Sequence, residues 1–259
     1  MHTLTLIALS SLLGSRPTLP GHVVDVYARD FFFRAPDTIP AGLTTLRLHV
    51  QQGAHIAVLM RLDSGHTAAD LLRSRREGNA RPAWVHMLGG PGFPAPNGTA
   101  NATLALEPGS YVLMCDVEAP NHTRHFEMGM FHQLVVRSMR DAPYALPADD
   151  AVITVSDHAF EISAPLRAGS RVLRVVNGGS VMHELRLVRV LPGHTGRESI
   201  QWKPGDDTPR PDEDVTAIVG LMPAAALTTT VALAAGEYVA FDVAHVADGL
   251  LQIVHVLPR

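Results

Sequence analysis

Leu106-Glu-Pro-Gly-Ser-Tyr111-Val-Leu-Met-Cys115-Asp-Val117 and Leu233-Ala-Ala-Gly-Glu-Tyr238-Val-Ala-Phe-Asp242-Val243 read as one unit written twice. Each opens on leucine, turns through a glycine, and then places tyrosine at the head of a short apolar run, the pattern of a half-buried strand leaving a tight turn. Working outward, the repeat continues on both sides. Val50-Gln-Gln-Gly-Ala-His55-Ile-Ala-Val-Leu-Met-Arg-Leu62 lies beside Val176-Asn-Gly-Gly-Ser-Val-Met-His183-Glu-Leu-Arg-Leu-Val-Arg-Val190, and each joins two strands through a turn that leads to a histidine. Downstream, Met130-Phe-His-Gln-Leu-Val-Val136 matches Leu250-Leu-Gln-Ile-Val-His-Val256. Self-similarity at this spacing predicts two homologous domains, 21–138 and 151–259, joined by a Pro/Ala/Asp-rich linker at 139–150.

The fold class that follows is all-β, two tandem Greek-key β-sandwiches. Val23 to Tyr27, Thr44 to Val50, His55 to Leu62, Thr103 to Leu106, Tyr111 to Cys115 and His132 to Val136 are short, rich in β-branched or alternating apolar residues, and bounded by glycine and proline. One helix is expected after His66, where Thr67-Ala-Ala-Asp70 forms a capping-box opening before Leu71-Leu72 and an arginine run that ends at Gly78. Those arginines read as the solvated face of that helix. Residues 1–20 begin with an apolar stretch too short to span a bilayer, which resembles a secretory signal and places the mature chain in the cell envelope or outside the cell. No lysine or arginine precedes that run and its cleavage site is a poor match, so a buried first strand or a misassigned start is the alternative.

The chain has 259 residues, 46% of them hydrophobic, and a formal charge of -4, which leaves no basic footprint for nucleic acid. Lys203 is the only lysine, and the second half is acidic, with Asp206-Asp207 and Asp212-Glu213-Asp214 in a stretch read as a solvated loop that could steer a basic partner. A single cysteine excludes an internal disulfide, and no CxxC or Cys/His zinc constellation is present. Neither a nucleophile elbow nor a zincin helix appears, which argues against a hydrolase.

Cys115 ends a strand and is followed within one loop by His122, His125, Met128 and Met130. One thiolate, imidazoles and thioethers make up the donor set that suits a mononuclear copper, because thiolate holds either oxidation state and a thioether is a weak further ligand. An isolated cysteine is otherwise a small buried hydrophobe. It is the surrounding loop that turns the reading towards metal.

These residues resemble the cupredoxins, the blue or type 1 copper proteins, whose members supply one histidine from an early strand and then cysteine, histidine and usually methionine from the loop between their last two strands. The resemblance implies His55, Cys115, His125 and Met130 as the ligands of one copper in the first domain, with Met130 axial. His122 competes with His125, and Met128 with Met130. The His-x4-Met spacing is like that of plastocyanin and the copper nitrite reductases. His132 is expected to be structural, and Trp84-Val-His86 before Gly89-Gly-Pro-Gly92 to form a loop beside the site with a surface histidine. In the second domain Asp242 stands where Cys115 does, so His183 and His245 are expected to form a decayed site retained for packing, with weak metal binding together with Asp242 or Glu184 as the alternative.

The function implied is single-electron transfer between redox partner proteins. Two-domain copper oxidoreductases are a competing class, but they place histidines beside the copper cysteine, where this chain has Met114 and Asp116, and the oxidases carry His-x-His pairs that this sequence lacks. A copper-free binding module on the same scaffold is the third class.

Overall fold

The computed structural model describes residues 17–29, 31–78, 80–94, 98–203 and 205–259, so the first sixteen residues of the expected leader lie outside it. The first repeat contributes β1 (His22–Arg29), β2 (Phe32–Arg34), β3 (Thr38–Pro40), β4 (Gly42–Val50), β5 (Val58–Leu62), helix α1 (Ala68–Arg76), β6 (Val85–Gly92), β7 (Thr99–Leu106), β8 (Gly109–Met114) and β9 (Phe131–Arg137). The second contributes β10 (Ala151–Val155), β11 (Phe160–Ile162), β12 (Gly169–Asn177), β13 (His183–Val190), α2 (Gly196–Gln201), β14 (Asp212–Leu221), β15 (Ala226–Leu233), β16 (Gly236–Phe241), a 3-10 turn at Val243–Asp248, and β17 (Leu251–Val256).

Two sheets face each other across a shared core. One runs β11-β10-β12-β15-β7-β4-β1-β2 and the other β17-β16-β13-β14-β6-β5-β8-β9-β3. Read from the middle, and apart from the edge strand β3, the two halves of each order are mirror images: β7, β4, β1 and β2 correspond to β15, β12, β10 and β11, and β6, β5, β8 and β9 to β14, β13, β16 and β17. The pairing senses repeat as well, with β1 parallel to β4 and β10 parallel to β12. Within a half the chain changes sheets between β4 and β5 and between β7 and β8, which sets β8 beside β5 in a Greek-key crossover. The halves meet where equivalent strands pair with each other, β7 with β15 and β6 with β14. Side chains from both repeats, among them Val26, Leu46, Leu59, Leu113, Ile153, Leu173 and Leu187, form one buried cluster.

The tyrosine of the repeated unit has the same task twice. Tyr111 is buried and its hydroxyl donates to the Glu107 carbonyl at 2.7 Å, while Tyr238 donates to the Ala234 carbonyl at 3.0 Å. A large ring fills the core and its polar end closes the turn four residues upstream, which satisfies a group that would otherwise be buried unpaired.

Helix α1 opens on the expected capping box of Thr67 and Asp70 and packs Leu71 and Leu72 against Val58, Met60, Val112 and Met114 on the outer face of the sheet. A second helix, α2, was not expected. Thr195 and Glu198 form the same reciprocal cap, and Ile200 covers Val188, Val190 and Val239. Six residues are too few for an apolar period to stand out, so the cap is the only local signal.

Three further expectations change. His55 precedes β5 instead of lying within the strand, in an extended segment held to β6 by an Ile56 to Gly92 bridge. Gly89-Gly-Pro-Gly92 is the end of strand β6, not a loop: it is gripped on one side by β5 and on the other by β14. The close fit explains the composition, since a Cβ on Gly90 would lie 2.0 Å from the Ala57 carbonyl oxygen. The acidic run Asp212-Glu213-Asp214 begins β14, where Asp212 and Asp214 are tied to Arg210, with Arg186 on Asp214 and Arg189 3.7 Å from Glu213, so each of its three carboxylates already has an arginine partner.

Candidate metal centre

The loop after β8 wraps one end of the first repeat, and its main chain locks the side chains of interest together. The Cys115 N–H donates to the Met130 carbonyl at 3.1 Å, Phe126 N–H to the Cys115 carbonyl at 3.0 Å, His125 N–H to the Val117 carbonyl at 2.9 Å and Met130 N–H to the His125 carbonyl at 2.9 Å. Gly129 sits at φ +104°, a backbone conformation that glycine reaches freely, and it makes the turn that brings the chain from His125 back to Met130.

Within this frame His55, Cys115 and His125 converge, and all three are buried. Both imidazoles present Nδ1 to the interior: the two nitrogens are 3.1 Å apart, and the Cys115 sulfur is 3.8 Å from that of His55 and 3.5 Å from that of His125. A point about 2.0 Å from all three atoms exists within a triangle of these sides, close to the bond a first-row metal makes to imidazole nitrogen and a little short of that to thiolate sulfur. The residues fit a mononuclear metal.

Burial pushes the Cys115 thiol up to about 11, with the main-chain N–H groups of Ile56 and Val117 acting the other way on the sulfur. Burial likewise moves His125 below the ordinary imidazole range. A metal binding at Cys115 therefore displaces the thiol proton.

The structure separates the competing loop residues. The His122 side chain is 88% exposed and paired with Glu118 at 2.7 Å, away from the cluster. Met130 is fully buried in the same core cluster as Cys115, whereas Met128 is half-buried. His86 is at the surface with Asp63, as expected, and His132 faces the Pro36 carbonyl. One neighbour was not anticipated. Phe31, with φ +67°, sets its ring edge-on to His125 at 4.9 Å between centroids and is 38% exposed. A bulky residue in the left-handed region is a backbone outlier that composition and strand patterning cannot reveal.

In the second repeat the corresponding residues also converge. His183, Asp242 and His245 lie together, and Leu250, fully buried, takes the place of Met130. Between the repeats, a cavity of about 370 Å³ is lined by Met60, Met87, Met114, Asp116, Met182 and Glu184 among others, so both neighbours of Cys115 face it.

No protein-family model matches the chain, and no curated protein does. Among solved structures it is similar to dithionite-reduced auracyanin from Roseiflexus castenholzii, at 22% identity over 41% of this chain and 95% of that one, with a TM-score of 0.30. It is similar also to auracyanin A, a "blue" copper protein from Chloroflexus aurantiacus, at 19% identity over 44% of this chain and 98% of that one, with a TM-score of 0.30. Over both repeats it is similar to a Cu-containing nitrite reductase from Thermus scotoductus, at 13% identity over 90% of this chain and 61% of that one, with a TM-score of 0.25. At these identities and scores, the reading of the chain rests on its own strands and side chains.

Proposed function

We propose that this chain is a two-domain cupredoxin that carries single electrons between redox partner proteins through one type 1 copper in its first domain. The observation that supports this reading is the buried triangle of His55 Nδ1, Cys115 Sγ and His125 Nδ1, sized for a metal and built from one soft and two borderline donors. Copper bound there supplies a one-electron couple. Cys115 and the two histidines would hold it, with Met130, whose main chain is hydrogen-bonded to both Cys115 and His125, as a weaker fourth donor. The main-chain N–H groups of Ile56 and Val117 face the sulfur and stabilise its charge. Burial excludes water, so the ligands need not reorganise solvent when the charge changes. His125, the most exposed of the three, would face a redox partner, with the exposed ring of Phe31 edge-on to it.

A carrier is favoured over an oxidoreductase because Cys115 is flanked by Met114 and Asp116, which offer no imidazole route to a second centre. The apolar stretch within residues 1–20, read as a secretory signal, supports an extracytoplasmic location, and among the described residues no helix is long and apolar enough to cross a membrane. Redox cycling tests the assignment. Copper-loaded protein is expected to bleach on one electron per chain and to recover its colour with ferricyanide, with no nitrite or oxygen consumed in excess of one turnover. Sustained consumption of either would make it an enzyme.

A further inference from the structure

The second repeat keeps the architecture of the first site with its anionic ligand exchanged, and we infer that His183, Asp242 and His245 hold a divalent first-row cation, Cu(II) or Zn(II), as a non-blue centre. This inference is independent of the copper reading of the first repeat. Asp242 Oδ2 lies 2.8 Å from His183 Nδ1 and 3.1 Å from His245 Nδ1, so both imidazoles again turn Nδ1 inward to the anion. The donors that fix that anion are also preserved. In the first repeat the Ile56 and Val117 N–H groups face the Cys115 sulfur; in the second, Glu184 N–H donates to Asp242 Oδ2 at 3.1 Å and Ala244 N–H to Asp242 Oδ1 at 3.1 Å, from the matching positions.

Two observations set this cluster apart from a packing relic. His245 Nδ1 is buried and lies 3.1 Å from the Asp242 carboxylate yet makes no hydrogen bond to it, so a buried ring nitrogen faces the cluster with its hydrogen-bonding capacity unmet. A cation between the three side chains satisfies it. His183 also has an outer partner, for its Nε2 meets Asp157 Oδ1 at 3.0 Å, and Asp157 is itself held by the Ser180 N–H and hydroxyl. A carboxylate on the far nitrogen of a ligating histidine fixes the ring and raises its basicity, the usual arrangement behind metal-bound imidazole. Room for it depends on Gly179, where a Cβ would fall 2.4 Å from Asp157 Oδ1 and 2.7 Å from His183 Nε2.

The donor set decides the cation. Two imidazoles and a carboxylate bind divalent metals in an order that peaks at Cu(II), imidazole and carboxylate also suit Zn(II), and the set lacks the soft thiolate that retains Cu(I). His245, 24% exposed on its 3-10 turn, is the side from which the cation enters.

The test is Cu(II) loading of the native full-length chain, with the copper-to-chain ratio measured after gel filtration and the copper examined by electron paramagnetic resonance. Two coppers per chain are expected, one of them giving the wide hyperfine splitting of a tetragonal centre and no intense visible band. His245→Ala should reduce the ratio from two to one and leave any blue signal unchanged. Asp157→Asn should weaken the non-blue centre about tenfold to a hundredfold. A native chain whose only copper is blue and unaffected by His245→Ala, or a non-blue copper that survives His245→Ala, overturns the inference. If His245→Ala does not fold, the nitrogen modulation of the native non-blue signal decides, two imidazoles supporting the site and none or one refuting it. A His245-dependent copper without any blue signal would sustain this inference while removing the reading of the first repeat.

Discussion

Cys115 shows how much one side chain depends on its surroundings. In the metal-free chain its thiol is pushed up to about 11 by burial, so it stays protonated where an unfolded cysteine ionises. The unfolded state therefore binds fewer protons between about pH 9 and 11, and the folded state loses stability as pH rises through that window. Metal-free protein is expected to lose up to about 3 kcal/mol across it from this residue. Tyr111 and Tyr238, also raised by burial, add to the alkaline loss, so the contribution of Cys115 is the difference between the native chain and Cys115→Ala in urea midpoints at pH 8, 9.5 and 11. Equal slopes for the two proteins would show that the thiol is not buried as described.

Strand β6 displays the element scale. Its Gly-Gly-Pro-Gly run looks like a turn because glycine and proline punctuate chains locally, yet here they let the backbone of one strand pass within van der Waals reach of another. Gly90→Ala would press a Cβ against the Ala57 carbonyl and separate β5 from β6, at an expected cost of about 3 kcal/mol or more in chemical denaturation. A loss below about 1 kcal/mol would mean that the strands do not approach so closely. Legibility follows the same division. The tyrosine strands and the first helix could be read because strand alternation and capping boxes are local, whereas His55, Cys115, His125 and Met130 are singled out together only through a family resemblance. The strand nature of β6, the balanced charges of Asp212 and Asp214 and the ring of Phe31 beside His125 could not, because each is imposed by a partner far away in sequence. In the second repeat Asp242 looked like a lost cysteine; only the three-dimensional arrangement reveals that its N–H donors and both histidines remain around it.

At the scale of the whole molecule, the two repeats share sheets as well as a core. Asn101 on β7 is buried and reaches across the junction, donating to the Thr230 carbonyl at 2.7 Å and accepting from the Thr230 N–H at 2.9 Å. With β6 on β14 in the other sheet, neither repeat presents a finished edge of its own. Thermal unfolding of the full chain is expected as a single transition with calorimetric and van't Hoff enthalpies in agreement. Asn101→Ala, which strands two buried main-chain groups, should lower stability by about 2 to 3 kcal/mol without splitting the transition. Two resolved transitions in the native chain would mean that the repeats are independent. Because unfolding is shared, metal bound in one repeat should protect the other, so copper raises the midpoint of the entire molecule.

All of this converges on one claim, that Cys115 is a copper thiolate. The visible absorption spectrum after Cu(II) addition, recorded for the native chain and for Cys115→Ser, tests it most directly. The account predicts an intense thiolate-to-copper band in the native protein and its complete loss in the variant, with the fold retained in both. A native protein that folds, takes up Cu(II) and stays colourless would contradict it.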